Sequence, residues 1–201
     1  MDPVPMEHAL RRSMLLIEGQ PGRADAMHDV LFDTAIKYTH TGFRVLFFRT
    51  ARVDRVTDSN RAQFSELFKL ITFMYVPTVE EALKRVMDLQ RWENCIPGLL
   101  IFESLDLLGT ERADEDAMPF RRTLLLSAIA DTVRTISVVQ KGTCNCIVTT
   151  SGTRPEAFPS AMFIREHNVL RAADVQSSAD ILAVMAENEH TINQQLEQES
   201  A

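Results

Sequence analysis

Between Glu18 and Met27 the chain reads Gly19-Gln20-Pro21-Gly22-Arg23-Ala24-Asp25-Ala26, a Gly-rich turn between the apolar run Met14-Leu15-Leu16-Ile17 and a stretch of helical spacing. Strand, Gly-rich turn and helix in that order can cradle phosphate. In the pattern G-x-x-x-x-G-K-[ST], backbone amides at the helix start face the anion, the lysine reaches the terminal phosphates and the hydroxyl ligates magnesium. Gly19 fills the first glycine position, but Ala24 stands at the second, Asp25 at the lysine and Ala26 at the hydroxyl. Aspartate opposes a triphosphate, and alanine offers the metal nothing. The turn is either an ordinary strand-to-helix connection or a phosphate loop stripped of its chemistry.

A second position has the same ambiguity. Leu99-Leu100-Ile101-Phe102-Glu103 delivers a carboxylate at the end of an apolar strand, the form of a Walker B segment whose carboxylate serves magnesium. Glu103 keeps the charge but is one methylene longer than the usual aspartate, and Ala26 leaves it without a co-ligand. The two signals occur in the correct order, so together they weigh more than either alone.

The elements that must hold these residues follow from periodicity. Strands are expected at 13–18, 43–48, 70–76, 99–103 and 146–150, with a sixth within 161–170; their near-continuous apolar runs suit strands covered on both faces. After the Gly19 turn, Met27, Val30, Leu31, Thr34, Ala35 and Tyr38 recur at helical spacing, and Gly42 ends the helix. Phe32 and Ala35 also match an F-x-x-A protomer-joining pattern, but inside this helix they read as core. A short helix is expected at 62–68. Thr78-Val79-Glu80-Glu81 forms a capping box ahead of a helix that ends near Trp92. A long apolar helix spans 120–139, its narrow polar stripe carrying Ser127, Asp131, Arg134 and Thr135. A last helix starts at 178 and loses its apolar residues after Met185. Alternating strands and helices give an α/β fold with a mainly parallel sheet. The expected organisation is an N-terminal arm over 1–12, one domain over 13–186 and a frayed acidic tail over 187–201.

Composition narrows the function. At 45% hydrophobic and 24% charged, the 201-residue chain suits one globular domain with a full core, and its net charge of −7 argues against a broad basic face for nucleic acid. Three cysteines, Cys95, Cys144 and Cys146, with no Cys/His cluster argue against structural zinc and for free thiols in a reducing compartment. His8, His28, His40, His167 and His190 lack metal-ligand spacing and read as structural or exposed. No secretory leader or membrane-spanning run is visible, which places the protein in the cytosol or nucleus.

Taken together, the motifs resemble the core of the RecA-like recombinases, and in particular the eukaryotic recombinase paralogues. In that family the second strand ends in a pattern like Y-I-D-T-E-G; Phe47-Phe48-Arg49-Thr50-Ala51 puts Ala51 at the water-activating glutamate. Leu100-Ile101-Phe102-Glu103-Ser104 is similar to the family's L-I-V-I-D-S. Thr149-Thr150-Ser151 corresponds to T-N-Q, whose phosphate-sensing glutamine is lost. The likeness spans Met14 to Gly152 and implies a RecA-like P-loop core with a degenerate nucleotide site at Gly19, Gln20, Pro21, Gly22, Asp25, Ala26, Ala51 and Glu103. It implies a pseudoenzyme, with no catalytic residues, cofactor or metal, that pairs with a second recombinase paralogue in the nucleus. Such a heterodimer supports the recombinase filament in homologous-recombination repair. The segment 152–159 holds one arginine, Arg154, so single-stranded DNA would be met chiefly through the recombinase, and no membrane contact is implied.

The polar stripe at Asp131 and Arg134, and the arginines Arg49, Arg52 and Arg55 after the second strand, are candidate partner-facing residues. Plain solvent exposure is the competing reading for both groups. The alternative function is a RecA-like structural subunit of an Elongator-type tRNA-modification scaffold. An active small-molecule P-loop kinase is disfavoured by Asp25.

Overall fold

A computed structural model describes residues 13–20, 22, 24–50, 66–92, 96–108, 117–152 and 162–199. The arm at 1–12, Pro21, Ala51, Arg52, Arg55, Cys95 and Arg154 lie outside the described residues.

The apolar runs become six strands: β1 Met14–Glu18, β2 Arg44–Arg49, β3 Ile71–Tyr75, β4 Pro97–Phe102, β5 Asn145–Thr149 and β6 Val169–Arg171. They form one sheet in the order β3-β2-β4-β5-β1-β6. Every pairing is parallel, so the fold is α/β with a parallel sheet flanked by helices.

Alternation along the strands explains why nearly every position is apolar. Met14, Leu16, Leu46, Phe48, Leu100, Phe102, Cys146 and Val148 enter a core beneath α2 (Val79–Leu89) and α3 (Met118–Gln140). Leu15, Ile17, Val45, Phe47, Leu99, Ile101 and Ile147 point the other way, under α1 (Ala24–Thr39) and α4 (Ser178–Glu199). Phe32 and Ala35 are buried in that second core, as helical spacing requires.

Local signals set the helix ends. Thr78 Oγ1 accepts the Glu81 amide at 3.2 Å, capping α2. Gly42 takes φ +84° just past α1, where a side chain would be strained. α1 and α4 are tied by Lys37 Nζ, which donates to Ser178 Oγ at 2.7 Å, and by Ser178 Oγ, which donates to Asp33.

One expectation about the helices needs correction. α4 does not fray at 187: it continues to Glu199, Asn188 and Ile192 are buried, and Glu189 accepts a 2.6 Å hydrogen bond from Asn145 Nδ2. Tertiary contacts hold a segment whose composition alone would not. α3 is less buried than its apolar content suggests, with Phe120, Leu124, Val138 and Val139 exposed. Among the described residues no helix is long and apolar enough to cross a membrane.

Beneath α1, Tyr38 is buried, and its hydroxyl donates to the Gly98 carbonyl at 3.0 Å. Burial pushes this phenol up from 10.0 to about 12, the Asn145 hydrogen bond acting in the opposite sense. Burial likewise raises the Cys144 and Cys146 thiols, so both stay protonated in the core. A raised pKa means that the Tyr38 contribution is complete below pH 10 and disappears as pH climbs through 12. Its size is on the order of 2–3 kcal/mol, at about 1.4 kcal/mol per unit. Tyr38→Phe is expected to be less stable at neutral pH, through loss of the hydrogen bond, but to lose less further stability between pH 10 and 12. Urea titrations across that range check the difference in slope.

Candidate functional site

Parallel strands present their carboxyl ends along one edge of the sheet, and crevices outside those ends are where open α/β sheets bind ligands. That edge carries the residues that follow β1, β4 and β5. Gly19, Gln20, Met27, Glu103, Ser104, Thr149, Thr150, Ser151 and Ala172 line a narrow cleft with room for little more than one water molecule. The structure thus brings together the Gly19 turn and the Glu103 carboxylate.

Glu103 is not free. His28 Nδ1 on α1 lies 3.0 Å from Glu103 Oε1, and Arg49 Nε at the end of β2 lies 3.2 Å from Oε2. The Arg49 contact lacks hydrogen-bond alignment and is an ion pair. Arg49 Nη1 also approaches His28 Nε2 at 3.4 Å. An arginine can only donate, so the Arg49–His28 contact is a hydrogen bond in the tautomer whose Nε2 accepts, the tautomer that turns an Nδ1–H to the carboxylate. The side chains are 13% (Glu103), 16% (Arg49) and 20% (His28) exposed, enough burial for the charges to depend on one another. Phe32 stacks on the His28 ring at 6.3 Å and Phe47 meets its edge at 6.0 Å.

The strand ends are stitched together as well. Thr150 Oγ1 accepts the Gly19 amide at 3.1 Å and donates to the Gly152 carbonyl at 2.8 Å. Thr149 Oγ1 accepts the Ser104 amide at 2.9 Å. Asp106, buried in the turn after β4, accepts from the Ser151 amide at 2.7 Å and the Ser151 hydroxyl at 2.6 Å. Arg122 on α3 donates to the Asp106 carbonyl.

Ser104 adopts the left-handed conformation, φ 52° and ψ 50°, directly after Glu103. This bend ends β4 and carries backbone strain of about 1–2 kcal/mol for an L-residue. Ser104→Gly is expected to stay within about 1 kcal/mol of the parent, relief of strain offsetting unfolded-chain freedom. Ser104→Val is expected to lose about 1–2 kcal/mol, because a β-branched residue fits that region worst. Urea denaturation of the two variants reads the difference.

The other expected site residues fall as follows. Gln20 and Gly22 are exposed, Gly22 at φ +81°. Asp25 and Ala26 are exposed in the first turn of α1, where Asp25 complements the helix dipole. Asp131 and Arg134 are exposed on α3, Asp131 already accepting from Gln90 Nε2 at 3.2 Å. Arg49 is the last residue of β2, not a loop arginine, and its side chain is turned onto Glu103.

Sequence reasoning misses His28 and Asp106. His28 has no metal-ligand spacing, yet it precedes Leu31 and Phe32 by one helical turn, which places it on the buried side of α1. Asp106 carries no comparable signal, because its partner is 45 residues away. Among the described residues, no group of three or more His, Cys, Asp or Glu could hold a metal ion.

The sequence matches no protein-family model and no curated protein.

Proposed function

We propose that this chain is a non-catalytic RecA-like subunit, a recombinase paralogue that pairs with a second paralogue and promotes or remodels recombinase filaments on single-stranded DNA. The observation that carries the reading is one cleft bordered by both the Gly19 turn after β1 and the Glu103 carboxylate after β4, in a wholly parallel sheet. That is the juxtaposition a RecA-like nucleotide site needs. The groups around it oppose the chemistry: Asp25 and Ala26 supply neither cation nor hydroxyl, and Glu103 is engaged by the Arg49 guanidinium and the His28 ring. With neither the lysine nor the hydroxyl at the motif positions to polarise a γ-phosphate, selection would act on binding surfaces instead.

Native co-purification with mass spectrometry tests this reading. A recombinase paralogue is the expected partner, in nuclear extract and with no ATP requirement. Failure to recover one would sink the mediator role, and a hexameric ring retaining tRNA would favour the Elongator-type alternative. ATP hydrolysis abolished by Glu103→Gln would contradict the pseudoenzyme assignment.

A further inference from the structure

We propose that Arg49 and His28 are a built-in substitute for the divalent cation of a nucleotide, clamping the carboxylate after β4 so that this edge of the sheet is assembled with no nucleotide bound. The inference rests on reading the Gly19 turn as a phosphate loop. A magnesium nucleotide does not fit the residues present, and the three-residue clamp accounts for that misfit.

A carboxylate at the end of a buried strand needs a positive partner, because taking it out of water uncompensated is strongly unfavourable. In a magnesium-nucleotide site the metal provides the charge and bridges protein to phosphate. Here both Glu103 oxygens already face protein cations or donors, at 3.0 Å from His28 and 3.2 Å from Arg49. Phe32 stacked on its face and Phe47 against its edge hold the imidazole in that position. The Gly19 amide, where the turn leaves β1, is given to Thr150 Oγ1 at 3.1 Å.

The joints form a set. His28 ties α1 to β4, Arg49 ties β2 to β4, and Thr150 ties β5 to β1. A bound nucleotide would stabilise the same edge only in proportion to its concentration. An intramolecular clamp does so at all times, and it makes pairing with a partner independent of nucleotide.

The test restores the lost loop groups with and without the clamp. Binding of a fluorescent ATP analogue, with and without Mg²⁺, is measured on the full chain for the native protein, Asp25→Lys/Ala26→Thr, and that pair combined with Arg49→Ala. The native protein and the double variant are expected to bind nothing at millimolar nucleotide. The triple variant is expected to bind at least about tenfold tighter than the double, only with Mg²⁺, and to melt at higher temperature in its presence. Equal binding by the double and triple variants would overturn the clamp while leaving the phosphate-loop reading intact. No binding by a folded triple variant would remove both. If that variant does not fold, Asp25→Lys/Ala26→Thr/His28→Ala opens the carboxylate from its other side, and the clamp fails unless this protein gains Mg²⁺-dependent binding.

Discussion

Alanine at Gly19 is expected to lower stability by about 3 kcal/mol, the upper end of what overpacking costs, because the contact is with rigid backbone. A Cβ built there would lie 2.0 Å from the Thr150 carbonyl oxygen, 2.7 Å from Ser151 C and 2.9 Å from Gly152 N. No rotamer change relieves this. The ends of β1 and β5 would have to part, although the Thr150 amide donates to the Ile17 carbonyl at 3.1 Å and Thr150 Oγ1 holds the Gly19 amide. Separation would also pull Ser151 from Asp106, so one methyl group disturbs the whole cleft. Gly22 is the control: it sits at φ +81°, and a Cβ there would meet nothing within 4 Å. Alanine at Gly22 therefore costs only backbone strain, about 1 kcal/mol. Urea denaturation of both variants checks the ranking, and equal losses would refute the close approach at Gly19.

That pair of glycines shows what a sequence conceals. Both belong to the same turn, yet one is required by a strand whose partner atom is 131 residues away and the other by its own dihedral. The strands themselves are legible, because burial on both faces demands continuous apolar runs and the chain has them. Strand order is not, since nothing local tells β1 to lie between β5 and β6. Arg49 shows how much a boundary shift of one residue matters. Following a strand over 43–48 it would be a solvated loop arginine; as the last residue of Arg44–Arg49 it reaches the carboxylate after the neighbouring strand. The position of Glu103 can be read from the apolar run before it, but its partners cannot, because they come from α1 and β2 and meet it only once the sheet is built.

Removing both charges of the Arg49–Glu103 pair is expected to cost less than the two single removals added together. Glu103→Ala leaves the Arg49 guanidinium beside His28 with no anion, and Arg49→Ala leaves a carboxylate that only His28 serves. Each single variant is expected to lose about 2–3 kcal/mol, below the roughly 3–5 kcal/mol of fully buried pairs because the side chains retain some solvent. The double variant is expected to lose less than the sum, with a coupling energy of about 1–3 kcal/mol. Urea titration of the four proteins at two salt concentrations supplies the cycle, and the coupling should change less with salt than that of an exposed pair, because partly buried charges are screened less. The same chemistry at the surface gives the contrast. Lys69 and Glu66 are closer, at 2.7 Å, but their side chains are 69% and 79% exposed, so Lys69→Ala should leave stability unchanged within error. If Arg49→Ala behaved like Lys69→Ala, proximity in the cleft would carry no energy, and Glu103 would be as available to a metal as an unpaired carboxylate.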